Sequence, residues 1–236
     1  MRTTGIDESQ RTAAKVAGFT CLFVMAVAVF AHYVLYAPLM VPGNVAETTR
    51  NIVAHERLFR LTLGCYLIFG VGTVVLLTAL YEILKPVNQG LALLAAFFRM
   101  AYALMWIVIG LEGFGVLRVL SGAAYLQGFE AERLQVMARL HLAAGFDAYY
   151  VGLLFWGFAS TVCSYLWFKS NYVPRGLAVF GVISSAWCAA CALVFFVFPG
   201  FGKAINLYSF DSPIGLFEMA LSVWLLVKGV RTPLAE

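Results

Sequence analysis

Charge is what this chain has least of. Lys, Arg, Asp and Glu together make up 12% of its 236 residues. That is about half the share of an ordinary soluble domain, which excludes a water-soluble fold. Aspartate occurs only at Asp7, Asp147 and Asp211, so a pair of membrane-embedded catalytic aspartates cannot be assembled. The three histidines, His32, His55 and His141, are too few for the four axial ligands of a two-haem cytochrome b. His55-Glu56 begins like a zinc-protease helix, but Phe59 stands where the second histidine must be. There is no Gly-x-Ser-x-Gly elbow for a serine nucleophile. A formal charge of +4 is spread without a basic run, which removes nucleic acid as a partner. Cys21, Cys65, Cys163, Cys188 and Cys191 all fall inside apolar runs, so they indicate neither a disulfide frame nor a redox compartment. No metal or cofactor is expected, and no catalytic residue can be named.

What the chain does have is hydrophobic length. Residues 148–168 carry no charge, and neither do residues 176–202. Each run is long enough to cross a hydrocarbon core roughly 30 Å thick. They meet across residues 169–175, where Lys169 and Arg175 bracket a tight turn and Pro174 suits a helix start. The same logic applied along the chain gives an all-α, polytopic membrane protein with six spans in one bundle. The spans are expected at about 16–36, 58–81, 91–120, 140–168, 174–198 and 213–230. A polar tail, 1–15, precedes them, and 231–236 forms a short tail after them. The first span is too long for a signal-peptide core, and Pro38 follows where a cleavage site would be needed, so it is retained. Thr48 or Thr49 is the expected cap of the helix leading into the second span. Glu130 to His141 has helix-forming composition, and Asp211-Ser212-Pro213 supplies a cap and a first-turn proline for the last span. Pro199-Gly200 is the expected end of the fifth.

Six spans place both termini on one side. Arg2, Arg11, Lys15, Lys85, Lys169, Arg175, Lys228 and Arg231 then fall together, with Arg50, Arg57, Arg60, Arg118, Arg133, Arg139 and Lys203 opposite. The first set sits in the shorter loops, so that side, with both termini, is assigned to the cytoplasm. The expected location is the inner (cytoplasmic) membrane. Gly181, Ser185 and Ala189 recur every four residues on the fifth span, a flat strip suited to close helix packing.

Intramembrane charges are costly and usually face the bundle interior or water, which makes them the natural site candidates. Glu112, Asp147 and Glu218 are assigned to the outer half of the bundle, with His32 and His141 nearer the interface. Together they are a candidate polar pocket for a small solute or ion. The competing reading is structural: each group reaches interfacial water or an arginine, with Arg118 available to Glu112. Arg99, deeper on the inner side, is expected to snorkel or to pair with Glu82. Cys188 and Cys191 lie three residues apart on one helical face, but an apolar mid-span position blunts thiol reactivity.

Several stretches resemble a known family. In the 169–175 hairpin, Ser164-Tyr165-Leu166, Ser170, Pro174-Arg175 and Leu177 follow a G-Y-L-x-x-x-S-x-x-x-P-R-x-L-G run, with Ser164 and Ala178 replacing the two glycines. GLLFWG at 152–157, LKPVN at 84–88, AAFFR at 95–99 and FEMALSVWLLVKG at 217–229 add to the likeness. The chain resembles an uncharacterised bacterial membrane family, domain of unknown function 4386. The resemblance implies a six-helix topology and brings no activity with it. The functional expectation is therefore solute or ion binding or transport. The alternatives are a membrane-embedded enzyme or redox subunit built on His141, Asp147 or the Cys188/Cys191 pair, and a non-catalytic accessory or scaffold protein. The expected partners are the lipid bilayer and a small solute or ion, and nothing indicates a homo-oligomer.

Overall fold

A computed structural model describes residues 7–198, 200, 201, 205 and 207–231. The helices are α1 (Glu8–Phe30), α2 (Val45–Ala54), α3 (Glu56–Leu84), α4 (Gln89–Val119), α5 (Ala131–Ser170), α6 (Arg175–Val197) and α7 (Leu207–Val227). No strand occurs among the described residues. Six helical segments are long and apolar enough to cross a membrane, the first running from Glu8 to Leu39. Phe19, Leu111, Ile183 and Val197 are each more than 60% exposed. Large apolar side chains in that position suit a hydrocarbon solvent, as does an architecture in which helices satisfy their own backbone groups.

The contacts divide the chain into two units. The first comprises Met1–Phe23, Gly72–Ala103 and Val151–Glu236. The second comprises Val24–Val71 and Leu104–Tyr150. In the first unit the interior is built by Ile83, Leu153, Leu166, Trp167, Ile214 and Phe217, all 1% exposed or less. There α6 packs on α7. Gly157 of α5 sits so close to α6 that an added Cβ would lie 2.8 Å from the Ala189 backbone nitrogen. The Ser185–Ala189 part of the small-residue strip is thus a helix contact, as its composition implies. In the second unit Trp106 is the centre of an aromatic cluster, 4.2 Å from Phe69 and 5.2 Å from Tyr66 between ring centroids.

Several boundaries differ from the sequence-based ones. The first span continues past its α-helix as a π-helical turn over Ala31–Tyr36 and a short 3-10 turn over Ala37–Leu39. Helix α2 is capped by Asn44, whose side chain accepts from the Glu47 N–H at 3.0 Å. Thr48 and Thr49 lie inside α2 and bond back to the Asn44 and Val45 carbonyls instead. The surface helix at 130–141 and the fourth span are one continuous 40-residue helix, because no proline or glycine falls between residues 131 and 144. Pro213 does not start the last helix, which begins six residues earlier at Leu207 with the proline inside it. A proline there removes the N–H that would bond the Ser209 carbonyl. The Trp187 indole of α6 takes that carbonyl at 3.2 Å, so the break is repaired from outside the helix. The expected stop at Pro199, the position of Lys203, and the tail residues 1–6 and 232–236 lie outside the described residues.

Candidate functional site

The first unit holds a buried charge centre. Arg99 of α4 and Glu218 of α7 are 3% and 6% exposed. Arg99 Nη2 donates to Glu218 Oε1 at 2.5 Å, and Nη1 donates to Oε2 at 3.3 Å. This is the two-pronged geometry in which a guanidinium holds a carboxylate best. Trp156 Nε1 donates to the same Oε1 at 2.8 Å, and the Ser160 hydroxyl at 2.5 Å. Both stand on α5, four residues apart and therefore on one face. Arg99 Nη2 also donates to Ser160 Oγ at 2.8 Å, which closes the network. From α1, the Cys21 thiol lies 3.9 Å from Oε2. Glu218 thus takes donors from three other helices. In an apolar interior each unpaired polar group would cost several kcal/mol, and this arrangement leaves the carboxylate none.

This geometry corrects two sequence-based assignments. Arg99 does not pair with Glu82. Glu82 accepts from Lys85 Nζ at 2.5 Å and from the Ser9 hydroxyl at 3.3 Å. The Lys85 pKa is raised by that hydrogen bond, which the ammonium donates to the carboxylate. The physical reason is depth: a buried guanidinium needs an anion at its own level, and Glu82 lies at the end of α3. Glu218, for its part, stands next to the middle of α7 and not in its first turns. Starting α7 at Leu207 puts it eleven residues into that helix and nine before its end.

The second unit holds the other candidates. His141 Nδ1 lies 2.7 Å from Glu112 Oε2, and the two side chains are 37% and 29% exposed. Gly115 makes room for the ring, since a Cβ there would approach His141 Nδ1 to 2.5 Å. Glu112 is therefore matched with His141 and not with Arg118, which is exposed. Six residues along a helix turn the face by about 240°, so Arg118 and Glu112 point apart. Asp147 is exposed, and His32 is exposed on the π-helical turn with its ring against Tyr33 and Tyr36. Among the described residues no three His, Cys, Asp or Glu side chains gather as a metal site would require. Within the first unit Glu218 meets Arg99, and within the second Glu112 meets His141 while Asp147 and His32 are exposed.

Trp156, Ser160 and Cys21 are functional-site neighbours that sequence reasoning passed over. Their one signal is the spacing of Trp156 and Ser160, which marks a face but not its partner. Cys188 is buried with its Sγ 3.8 Å from the Leu153 carbonyl, and all five cysteines are free thiols. Two small cavities flank Arg99, with about 20 and 10 Å³ open to the centre of a water molecule. One water needs roughly 10–15 Å³ by this measure, so neither admits a larger solute.

Comparison with known proteins yields a family and a relative. A family model described as "Domain of unknown function (DUF4386)" matches residues 16–229. A protein of Archaeoglobus fulgidus described as "Uncharacterized protein" is 25% identical over 185 residues, covering 76% of this chain and 93% of its own length. No solved structure matches the chain.

Proposed function

The chain belongs to the DUF4386 family, and since that family carries no assigned activity, we propose from geometry that it is a non-catalytic accessory or scaffold protein of the cytoplasmic membrane. In this reading the Arg99–Glu218 centre locks helices α1, α4, α5 and α7 of the first unit together. The observation that carries the reading is the saturation of Glu218, which takes Arg99, Trp156 and Ser160 in one buried network. The adjoining cavities are of single-water size, which suits a lock better than a solute passage.

A second reading, solute or ion binding, draws on the Glu112–His141 pair. Its members are hydrogen-bonded, ionisable and still about a third exposed, as an accessible ion or proton site would be. The test is thermal unfolding of detergent-purified protein against a panel of monovalent ions, divalent ions and small polar solutes. A species that binds only the folded state raises the midpoint with concentration. The scaffold reading expects no such rise. A concentration-dependent rise that vanishes in Glu218→Gln would overturn it in favour of solute binding in the first unit. A rise that vanishes in Glu112→Gln and survives in Glu218→Gln would move the function to the second unit.

A further inference from the structure

Four exposed cations gather at one end of the first unit without a carboxylate among them. Residues 148–175 and 219–231 contain Lys169, Arg175, Lys228 and Arg231, and not one aspartate or glutamate. The backbone joins the two stretches, for the Arg231 N–H donates to the Tyr172 carbonyl at 3.0 Å. Tyr172 stands in the turn between α5 and α6, three residues from Lys169 and three from Arg175. Lys228 directly follows the last residue of α7. All four side chains are exposed, and among the described residues none of them forms an ion pair. Two are held in place without being neutralised. The Arg231 guanidinium lies over the Trp224 ring, 4.7 Å from its centroid, and Arg175 Nε donates to Asn171 Oδ1 at 2.8 Å. A guanidinium fixed in this way keeps its terminal N–H groups for an oxyanion.

We propose that this end of the first unit is a docking surface for the phosphate headgroup of an anionic phospholipid of the phosphatidylglycerol type. Arg175 and Arg231 offer paired donors to the phosphate oxygens, and Lys169 and Lys228 add point charges. Net charge selects the lipid class, because a zwitterionic headgroup brings its own cation and neutralises nothing here. Apolar surface beside the charges favours a lipid over free phosphate. Tyr165 and Val179 lie four residues from Lys169 and Arg175, on the same helical faces, and Val227 precedes Lys228. They are 48%, 42% and 71% exposed, so acyl chains can lie against them while the headgroup stays at the charges. The half-buried Trp224 suits the same boundary between hydrocarbon and water. This surface goes beyond the helix-locking role and involves none of its residues.

Native mass spectrometry of the full-length protein tests this, with equal amounts of phosphatidylglycerol and phosphatidylcholine carrying identical acyl chains. The wild type is expected to retain the anionic lipid several-fold more than the zwitterionic one. Arg175→Gln with Arg231→Gln should bring the two lipids to parity while leaving the thermal midpoint unchanged, since both side chains are exposed. Arg50→Gln with Arg57→Gln, likewise exposed but in the second unit, should leave the preference intact. A wild type without preference overturns the proposal. So does a preference that survives Arg175→Gln with Arg231→Gln, or one that falls equally in the control pair. Loss of the lipid to an excess of inorganic phosphate would reassign the surface to a free anion and overturn the lipid assignment.

Discussion

Removing either member of the Arg99–Glu218 pair strands the other as a buried, unpaired charge. Glu218→Gln or Arg99→Met is therefore expected to cost about 3–5 kcal/mol. The double change Arg99→Met with Glu218→Leu should recover most of that loss, because both desolvated charges are then gone. A thermal double-mutant cycle in detergent checks this, and additive losses would contradict it. Glu112→Gln should cost clearly less than Glu218→Gln, since a pair about a third exposed is partly compensated by water. The same measurement ranks the two. Lys85 offers a check on sign. Its pKa is raised by Glu82, so its contribution is complete below the unfolded value of about 10.4 and is lost as pH rises through the raised folded value. The midpoint difference between wild type and Lys85→Gln should accordingly stay constant from about pH 6 to 9. Arg99 and Glu218 were both recognisable in the sequence as intramembrane charges. Their partnership was not, because Pro213 reads as a helix start, and that misplaces Glu218 by six residues. With α7 beginning at Leu207, Arg99 lies ten residues after the start of α4 and Glu218 nine before the end of α7. At 1.5 Å per residue both are roughly 14–15 Å from those helix ends, which allows two charges on antiparallel spans to meet.

Among the helices, the α5–α6 contact is set by a missing side chain. Gly157→Ala would place a Cβ 2.8 Å from the Ala189 nitrogen and 2.9 Å from the Ser185 carbonyl, and both are backbone atoms that cannot rotate away. The helices must separate, at a cost of about 1–3 kcal/mol. Gly176, in the first turn of α6, has nothing within 4 Å of its added Cβ. Gly176→Ala should therefore be neutral or stabilising, by up to about 1 kcal/mol from helix propensity. Thermal midpoints of the two variants should move in opposite directions or differ clearly in size, and equal losses would mean that α5 and α6 are not packed this way. The strip at Gly181, Ser185 and Ala189 was legible from its four-residue repeat. The helix it meets was not, since spacing describes one surface and never its complement.

For the molecule as a whole, the testable quantity is sidedness. The assignment of the 169–175 hairpin to the cytoplasm predicts the same side for Gln89 and the opposite side for Gln127, both exposed at helix-end connections. In intact cells an impermeant maleimide should label Gln127→Cys, while Gln89→Cys should react only after permeabilisation. The reverse pattern would invert the topology and place the short, basic loops outside.

What the sequence determined by itself is the class of solvent and the number of crossings. Six long, largely apolar stretches separated by Lys- and Arg-bearing turns leave little freedom, because backbone groups in hydrocarbon must be satisfied within each helix. The helix ends were less secure: Asn44 replaced Thr48 or Thr49 as a cap, and Pro213 proved tolerable inside α7 once Trp187 took the Ser209 carbonyl. Which charges meet was decided only by tertiary structure. The pairing of Arg99 with Glu218, and of His141 with Glu112 over Gly115, depends on which helices are neighbours and how each is rotated. Hydropathy is averaged over a span and carries no information about either, whereas a desolvated charge responds to the few atoms within hydrogen-bonding distance.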